Sequence, residues 1–292
     1  EGKSDFMVNL KFRIVDKLVF SKIRELFGGR LRASLTGSAA MNPDISRLFF
    51  GIGMPLYDVY GMSETSPGIT MNCPSKYRIG SVGPVIDKVK VVIDRSVVGP
   101  DANDGEIVCY GPNVMKGYHN KPEATKEVMT PDGGMRTGDR GRFDEDGFLW
   151  ITGRIKEQYK LENGKYVFPA GLEEDICLNH YVQIALVYGA NHPYNVCIIV
   201  PDAVALQGYA HKHNLPDDYK ELAKNEAIQK MIITEITAAM KDKYASYEIP
   251  KKFAFISEPF TLENGLMTQT LKLKRKNITE KYKDMITGLY KD

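Results

Sequence analysis

The stretch LYDVYGMSET, residues 56–65, decides the fold. Its first residues, 56–59, form a short apolar run typical of a buried strand, and the run ends in an aromatic residue, a glycine and several polar side chains. Another strand-like run, Leu31–Leu35, precedes it and ends in the small residues 36–40, with a helical pattern at 43–50 between the two. Helices that alternate with buried strands predict a layered α/β domain, whose ligands bind at the carboxyl ends of the strands.

A predicted amphipathic helix lies on the N-terminal side of this unit. Apolar residues recur at every fourth position from Val15 to Phe27 with charged residues between them, and Gly28 and Gly29 end the pattern. We therefore expect a helix over residues 15–27.

The pattern changes at about residue 80. Short strand-like runs separated by Asp, Asn and Gly turns, at 101–105 and 144–147, predict an antiparallel β subdomain that extends to residue 154. After that point strand-like and helical segments mix. The longest helical stripe runs from Ile228 to Met240, and a second apolar stripe, Ile278, Tyr282, Met285 and Leu289, predicts another helix near the end. Such a mixture predicts a small, separate α+β domain. The predicted domains are therefore 1–154, made of an α/β layer at about 1–79 and the β subdomain at about 80–154, and 155–292.

The composition excludes several classes of protein. Hydrophobic residues make up 43% of the 292 residues, which allows a sizeable core and about two domains. The formal net charge of +2 is too small to indicate nucleic-acid binding, and no apolar run approaches the roughly 18 residues of a transmembrane helix. Four cysteines without a CxxC pair favour reduced thiols in a cytoplasmic protein. The polar N-terminus without an initiator Met is typical of a fragment rather than of a signal peptide.

The first candidate site is the turn of small residues Gly37, Ser38 and Ala39, which ends with Ala40. Small side chains let the backbone approach a flat ligand closely. Any tight strand-to-helix turn has the same composition, so a purely structural role is the alternative.

The second candidate site follows the next strand. Tyr60 can stack on a nucleobase beside Gly61. The hydroxyls of Ser63 and Thr65 can contact phosphate oxygens, and Glu64 can offer a hard oxygen ligand to Mg²⁺. The alternative is a helix N-terminus, with one hydroxyl as the cap and the carboxylate next to the positive end of the dipole.

Two further candidates lie later in the chain. Asp139, in the run Arg136-Thr137-Gly138-Asp139, can accept two hydrogen bonds from a ribose diol, and Arg154 adds a fork of donors. A polar turn and an exposed arginine are the alternative. Four basic residues lie between Lys272 and Lys276, where they form a phosphate-binding or merely solvated surface.

The order of these motifs resembles that of the adenylate-forming superfamily, which includes acyl-CoA synthetases, luciferases and peptide-synthetase adenylation domains. The flanks at 18–30 and 271–283 resemble long-chain fatty acyl-CoA synthetases, and the second flank resembles the bubblegum-type branch. The resemblance implies the C-terminal part of the superfamily's large domain followed by a mobile lid domain. The motifs are, in order, Gly37-Ser38-Ala39, Tyr60–Glu64, Gly105-Glu106-Ile107 through Gly117-Tyr118, Thr137-Gly138-Asp139, Gly153–Glu157 and Lys272.

The resemblance implies an enzyme that uses ATP to activate a fatty acid as acyl-AMP and passes the acyl group to coenzyme A. Tyr60 would stack on adenine beside residues 37–39. Asp139 would hold the ribose hydroxyls with the help of Arg154.

The resemblance also implies roles around the phosphates and the acceptor. Glu64 would hold Mg²⁺, and Ser63 would contact the phosphates. Lys272 would bridge the carboxylate and the α-phosphate in the first step. Lys156 would lie at the hinge of the lid, and Gly164 would approach the pantetheine of coenzyme A.

The sequence departs from the family pattern at the late lysine and at the glycine loop. The lysine lies in Leu-Lys-Leu-Lys-Arg rather than after a glycine, and Lys272 is chosen because Arg275 follows it at the family's usual spacing. Lys274 is the alternative. The loop 161–166 around Gly164 is also atypical.

The largest departure is an absence. A Ser/Thr/Gly-rich phosphate loop of the type TSGTTGxPKG does not occur in these 292 residues. We therefore expect that the chain alone does not catalyse adenylation. Two other classes stay open: an adenylating enzyme whose acceptor is a carrier protein, and a non-catalytic module whose basic segment 272–276 binds a membrane surface or an acidic partner.

Overall fold

The computed structural model describes residues 6–39, 41–97, 103–269 and 272–291. The chain divides into two compact units, Glu1–Ile155 and Lys156–Asp292. The division falls one residue after the domain boundary that the sequence predicts. No helix in these ranges is long and apolar enough to cross a membrane.

The first unit begins with a nearly continuous helical segment. Helix α1 (Phe6–Val15) continues through a π-helical turn, Asp16–Phe20, into α2 (Ser21–Leu26). The segment ends at Gly28 and Gly29, both with positive φ, as the sequence predicts. The predicted start at residue 15 is wrong, because the helical pattern already begins nine residues earlier.

A three-stranded sheet of order β1-β2-β3 follows. It contains β1 (Ser34–Thr36), β2 (Leu56–Gly61) and β3 (Gly68–Met71), with α3 (Pro43–Gly51) between the first two strands. Strands β1 and β2 are parallel, with Thr36 opposite Asp58, so their carboxyl ends lie at one edge of the sheet.

The prediction of a buried strand at Leu31–Leu35 is wrong in two respects. The strand begins only at Ser34, and the Leu35 side chain is 63% exposed. The physical reason is that side chains of a strand point alternately to the two faces of the sheet, and the face that carries Leu35 is largely uncovered.

The second sheet of the first unit is antiparallel, which confirms the predicted β subdomain and the α/β class with antiparallel sheets. Its order is β4-β5-β6-β7, and α4 (Pro122–Val128) connects the two middle strands. Part of the predicted turn at 101–105 lies outside the described residues. The strands are β4 (Lys90–Asp94), β5 (Gly105–Tyr110), β6 (Met135–Phe143) and β7 (Leu149–Arg154).

The second unit is an α+β domain around a three-stranded sheet of order β10-β11-β12. Strand β11 is buried along its whole length, and its alternate residues enter two cores, with Ile199 in one and Ile198 in the other. The elements are β8 (Tyr159–Lys160), β9 (Tyr166–Val167), α5 (Pro169–Ile176), β10 (Val182–Tyr188), β11 (Val196–Pro201), α6 (Ala203–His213), α7 (Tyr219–Lys224), α8 (Glu226–Met240), β12 (Lys252–Phe255), α9 (Arg275–Lys281) and α10 (Lys283–Gly288).

Two rows of apolar residues in the second unit were predicted to form helices. The stripe from Ile228 to Met240 is confirmed, because every fourth residue of α8 is buried in the core. The predicted continuous C-terminal helix is wrong, because it breaks at Tyr282 into α9 and α10. Ile286 rather than Met285 then points to the core.

Candidate functional site

Three of the predicted site residues meet at one carboxylate. Tyr60 at the end of β2 donates from its hydroxyl to Asp139 Oδ2 at 2.8 Å. Arg154 donates from Nε to Asp139 Oδ1 at 2.7 Å. The strand register explains the second contact, since Asp139 in β6 lies directly opposite Arg154 in β7. The sequence predicted these residues as one site, and the fold brings them together across three strands.

The backbone around Asp139 holds this carboxylate in place. Its amide donates to the hydroxyl of Thr137 at 3.1 Å, and that hydroxyl donates to the carbonyl of Ile107 at 2.8 Å. Gly138 has φ 72, a left-handed conformation that glycine adopts without strain. Its carbonyl accepts from the amide of Ile155 at 2.8 Å. Asp139 is therefore fixed and 5% exposed, whereas the side chain of Arg154 is about half exposed.

The charges of this cluster leave capacity for a ligand. Burial and the neighbouring charge of Asp139 raise the pKa of Tyr60 well above its ordinary value, so the phenol stays a neutral donor. An ionised carboxylate has about four acceptor positions, and Tyr60 and Arg154 occupy two of them. The remaining positions suit a pair of vicinal hydroxyls.

Glu64 lies close by in sequence, in a short 3₁₀ helix at Ser63–Thr65. Its Oε1 accepts from the hydroxyl of Tyr118 at 2.8 Å, and its backbone carbonyl accepts from the amide of Met115 at 2.8 Å. Burial and the charge of Glu64 raise the pKa of Tyr118, which keeps it a donor. Tyr118 belongs to one of the sequence motifs, but no role was predicted for it.

Glu64 could bind a magnesium ion only together with ligands from the nucleotide phosphates. Across the described ranges there is no group of three or more His, Cys, Asp or Glu residues that could hold a metal. Mg²⁺ in nucleotide enzymes usually takes one or two carboxylates together with substrate phosphates. A single half-buried carboxylate therefore suits a metal that arrives with the nucleotide.

Two residues of the YGMSET stretch shape the loop instead of facing a ligand. Thr65 is fully buried, and its hydroxyl donates to the carbonyl of Pro67 at 2.6 Å and accepts from the amide of Met62 at 3.1 Å. The prediction that Thr65 contacts the nucleotide is therefore wrong. A Cβ at Gly61 would lie 1.7 Å from the Pro67 carbonyl oxygen, so this glycine is needed for a close backbone approach. Ser63 is exposed, as a phosphate contact requires.

The small residues Gly37, Ser38 and Ala39 follow β1 and are exposed. Because β1 and β2 are parallel, they lie at the same sheet edge as Tyr60. Ser38 has φ 72, and a Cβ at Gly37 would lie 3.0 Å from Val59, so the turn is tight. The adjoining Ala40 lies outside the described residues.

Sequence reasoning missed Asp58. Its side chain is buried at 7% exposure, and burial raises its pKa to about 6. It lies two residues before Tyr60 in β2, and therefore on the same face of the strand. Within the described ranges no hydrogen bond reaches its carboxyl group. The signal was present in the sequence, since an acidic residue interrupts the apolar run of 56–59.

The late lysine lies in the second unit. Lys272 is exposed, its amide donates to the Thr268 hydroxyl at 3.0 Å, and its carbonyl accepts from the Thr268 amide at 2.8 Å. Lys274 is half-buried, and its amide donates to the Leu266 carbonyl at 2.8 Å. Residues 270–271 lie outside the described ranges.

A buried ion pair anchors the chain just after this segment. Arg275 donates from Nη1 to Glu173 Oε1 at 2.7 Å and from Nη2 to the other oxygen. The same Oε1 accepts from the amide of Val187 at 2.6 Å. The pair fixes the start of α9 against α5, three residues after Lys272.

Two further predicted residues lie in turns of the second unit. Lys156 is exposed and is the first residue of that unit. Gly164 has φ 83 in the β8–β9 turn, and its amide donates to the Leu161 carbonyl at 2.9 Å. The left-handed turn alone accounts for a glycine at 164.

Comparison with known proteins identifies the class. The AMP-binding enzyme family matches residues 9–119, and the AMP-binding enzyme C-terminal domain matches residues 156–292. The chain therefore belongs to the AMP-binding enzymes, the adenylate-forming class that its motifs resemble.

Individual relatives show which members of this class the chain resembles. The chain is 33% identical to long-chain-fatty-acid–CoA ligase 5 of Rattus norvegicus over 94% of this chain and 41% of the relative. It is also 33% identical to long-chain-fatty-acid–CoA ligase FadD15 of Mycobacterium bovis, over 99% of this chain and 47% of the relative. The resemblance to long-chain acyl-CoA synthetases is confirmed, and the bubblegum-type branch stays a prediction. The chain spans less than half the length of these relatives.

A solved structure agrees with the fold. The A domain of carboxylic acid reductase from Segniliparus rugosus, in complex with AMP and a co-purified carboxylic acid, is 25% identical. It superposes with a TM-score of 0.75 over 94% of this chain and 42% of that chain.

Proposed function

We propose that this chain contributes the AMP-holding residues and the mobile lysine of an ATP-dependent long-chain fatty acid–CoA ligase. The observation that carries the proposal is the convergence of Tyr60 and Arg154 on the buried carboxylate of Asp139. The names of the relatives supply the substrate class, a long-chain fatty acid, and the acceptor, coenzyme A.

The reaction has two steps. An oxygen of the fatty carboxylate bonds to the α-phosphorus of ATP, the bond from that phosphorus to the bridging oxygen breaks, and pyrophosphate leaves. The thiolate of coenzyme A then bonds to the acyl carbon, the bond from that carbon to the phosphate oxygen breaks, and AMP leaves. The protein needs to position reactants and offset negative charge in both steps.

The first unit holds the nucleotide. Asp139 accepts the two ribose hydroxyls at its remaining acceptor positions, and Arg154 adds a donor beside them. The ring of Tyr60 stacks on adenine, at the same sheet edge as the exposed turn 37–39. Ser63 donates its hydroxyl to the phosphates.

Glu64 holds the magnesium ion that accompanies ATP, and the ion offsets phosphate charge when bound. Tyr118 keeps the Glu64 carboxylate oriented through its hydrogen bond. This role needs only one protein carboxylate, because the phosphates supply the other charged ligands.

The second unit supplies the groups that change between the steps. Lys272 is exposed on a segment anchored by Arg275, so its compact charge can reach the α-phosphate in one step and leave in the other. Lys156 is the hinge residue of this unit. The exposed turn at Gly164 approaches the pantetheine of coenzyme A.

We also propose that the 292-residue chain does not adenylate by itself, because it has no Ser/Thr/Gly-rich loop for the triphosphate. The test is ATP–pyrophosphate exchange with a long-chain fatty acid. Exchange at background level is expected, while AMP binding persists in calorimetry. Clear exchange by the isolated chain would refute the statement about activity, and absence of AMP binding would refute the proposed site.

The acceptor is tested in the longer protein that contains this chain. Formation of acyl-CoA, with no acyl transfer to a phosphopantetheinyl carrier protein, is the expected result. Preferential loading of the carrier would favour a carrier-dependent enzyme instead. Salt-sensitive binding of anionic vesicles without AMP binding would favour the membrane role of the segment 272–276.

A further inference from the structure

A second concave site lies in the second unit, along helix α6. It is an open groove of about 470 Å³, within the range of about 300–1,000 Å³ that small-molecule sites occupy. All its lining residues belong to the second unit, so none belongs to the Asp139 cluster. The lining includes His180, Tyr181, Asp202, Gly208, Tyr209 and Lys212.

The lining of the groove contains an exposed glycine without a packing reason. Gly208 lies in the interior of α6, and a Cβ built there would meet no atom within 4 Å. Glycine in a helix interior costs about 1 kcal/mol relative to alanine, chiefly in backbone entropy. An alanine would fit the fold and lower this cost, but its methyl group would enter the open space beside the helix at this lining position. The glycine therefore suits a ligand that approaches the helix backbone closely.

Aromatic rings form one wall. The rings of Tyr209 and His213 stack at 4.1 Å between centroids, and the ring of Tyr181 meets Tyr209 edge-on at 5.8 Å. Each of these residues lines the groove. Rings held rigidly by each other present flat faces and edges that recognise a planar ligand at little entropic cost.

The charged groups of the groove differ in sign between the two ends of α6, with an acidic residue at its start and a basic residue near its end. Asp202 at the start of α6 accepts from the amide of Ala205 at 2.8 Å, so its carboxylate serves the helix cap. Lys212 and His213 lie at the end of α6, His180 is a further lining residue, and all three are exposed. A lysine ammonium has three donors and no acceptor, which suits an anionic group.

We propose that this groove binds a planar aromatic ring that carries a phosphate group. The ring lies on the aromatic wall over Gly208, and the phosphate meets Lys212. The site does not depend on the proposed ligase function, because it shares no residue with the nucleotide-holding cluster of the first unit.

The test uses phenyl phosphate as the probe, with phenol and inorganic phosphate as its two halves. Binding is followed by the NMR shifts of the imidazole CH groups of His180 and His213. The expected dissociation constant for phenyl phosphate is about tenfold or more below that of either half. Equal affinity for phenyl phosphate and inorganic phosphate overturns the proposal, as does the absence of shifts at these two histidines.

The Gly208→Ala variant separates binding from folding. It is expected to raise the melting temperature and to weaken phenyl phosphate binding about fivefold or more. Gly288→Ala is the matched control, because Gly288 is also helical with an open Cβ position but lies in α10. It leaves binding unchanged. Unchanged binding in a folded Gly208→Ala variant overturns the proposal. Because Lys212 is exposed, Lys212→Gln should fold normally, and it must also weaken phenyl phosphate binding.

Discussion

Asp139 and Arg154 lie directly opposite each other in the β6–β7 register, and their side chains form an ion pair of 2.7 Å between Oδ1 and Nε. Because Tyr60 binds the other oxygen, this buried carboxylate links three strands. Its remaining acceptor positions are what the proposed AMP site depends on.

Two substitutions at Tyr60 separate its ring from its hydroxyl. Tyr60→Phe removes one hydrogen bond to the charged carboxylate of Asp139, worth about 1.5–3 kcal/mol, but keeps the ring, so it should weaken AMP binding less than the loss of the whole side chain does. Tyr60→Ala also removes the stacking surface, worth about 1–3 kcal/mol per base, and should weaken binding further. Calorimetry with AMP measures both. Equal losses in the two variants would mean that the ring does not contact adenine.

Asp58 predicts a pH dependence of the first unit. Burial raises its pKa from 3.8 to about 6. A carboxyl group whose pKa is higher in the folded chain favours folding when protonated, so its contribution is full below about pH 4 and is lost as the pH rises through 6. Asp58→Asn should therefore raise the free energy of unfolding above pH 7 by about 2–3 kcal/mol, and by less at pH 5.

Urea unfolding monitored by the fluorescence of Trp150 measures this effect, since it is the single tryptophan and lies in β7. The comparison of wild type with variant removes the contribution of other titrating groups. A gain that is the same at pH 5 and pH 7.5 would contradict a raised pKa at Asp58.

The loop after β2 predicts a contrast between two hydroxyl residues. Thr65→Val removes the hydroxyl that hydrogen-bonds the amide of Met62 and the carbonyl of Pro67, which then keep only their bond to each other, and should destabilise the first unit by about 1 kcal/mol or more. Ser63 is exposed, so Ser63→Ala should change the free energy of unfolding by less than about 0.5 kcal/mol. The same fluorescence transition measures both, and a stable Thr65→Val variant would argue against the assigned loop role.

The Glu173–Arg275 pair predicts a large effect in the second unit. Arg275→Ala leaves a buried carboxylate without its partner and should destabilise this unit by about 3–5 kcal/mol. Lys281→Ala removes the more exposed pair with Glu258 and should cost less than about 1 kcal/mol. Hydrogen exchange in β11 reports on this unit, and similar losses in both variants would contradict the buried anchor.

The sequence grouped three residues that the fold brings into contact, but it misplaced some edges of the fold. Tyr60, Asp139 and Arg154 were found together because motif order constrains residues that only strand pairing can bring into contact. The role of Thr65 was predicted wrongly, because a sequence does not show whether a threonine hydroxyl is buried or exposed. Whether such a group faces a ligand depends on the tight approach of Gly61 to Pro67, which is a tertiary property.

Burial explains the other misses. The run Leu31–Leu35 has the composition of a core strand, but the face of β1 that carries Leu35 is largely uncovered, so this side chain is exposed. The C-terminal helix breaks at Tyr282 although its apolar spacing continues, so Ile286 occupies the core position instead of Met285. Periodicity specifies a preferred face, and packing decides which residues lie on it.

The most direct test of the central claim compares AMP with 2′,3′-dideoxy-AMP by calorimetry, in the wild-type chain and in Asp139→Asn. The proposed site predicts that wild type prefers AMP about tenfold or more, and that the variant loses most of this preference while remaining folded. Equal affinity of the wild-type chain for both nucleotides, or an unchanged preference in Asp139→Asn, would contradict the assignment of Asp139 to the ribose hydroxyls.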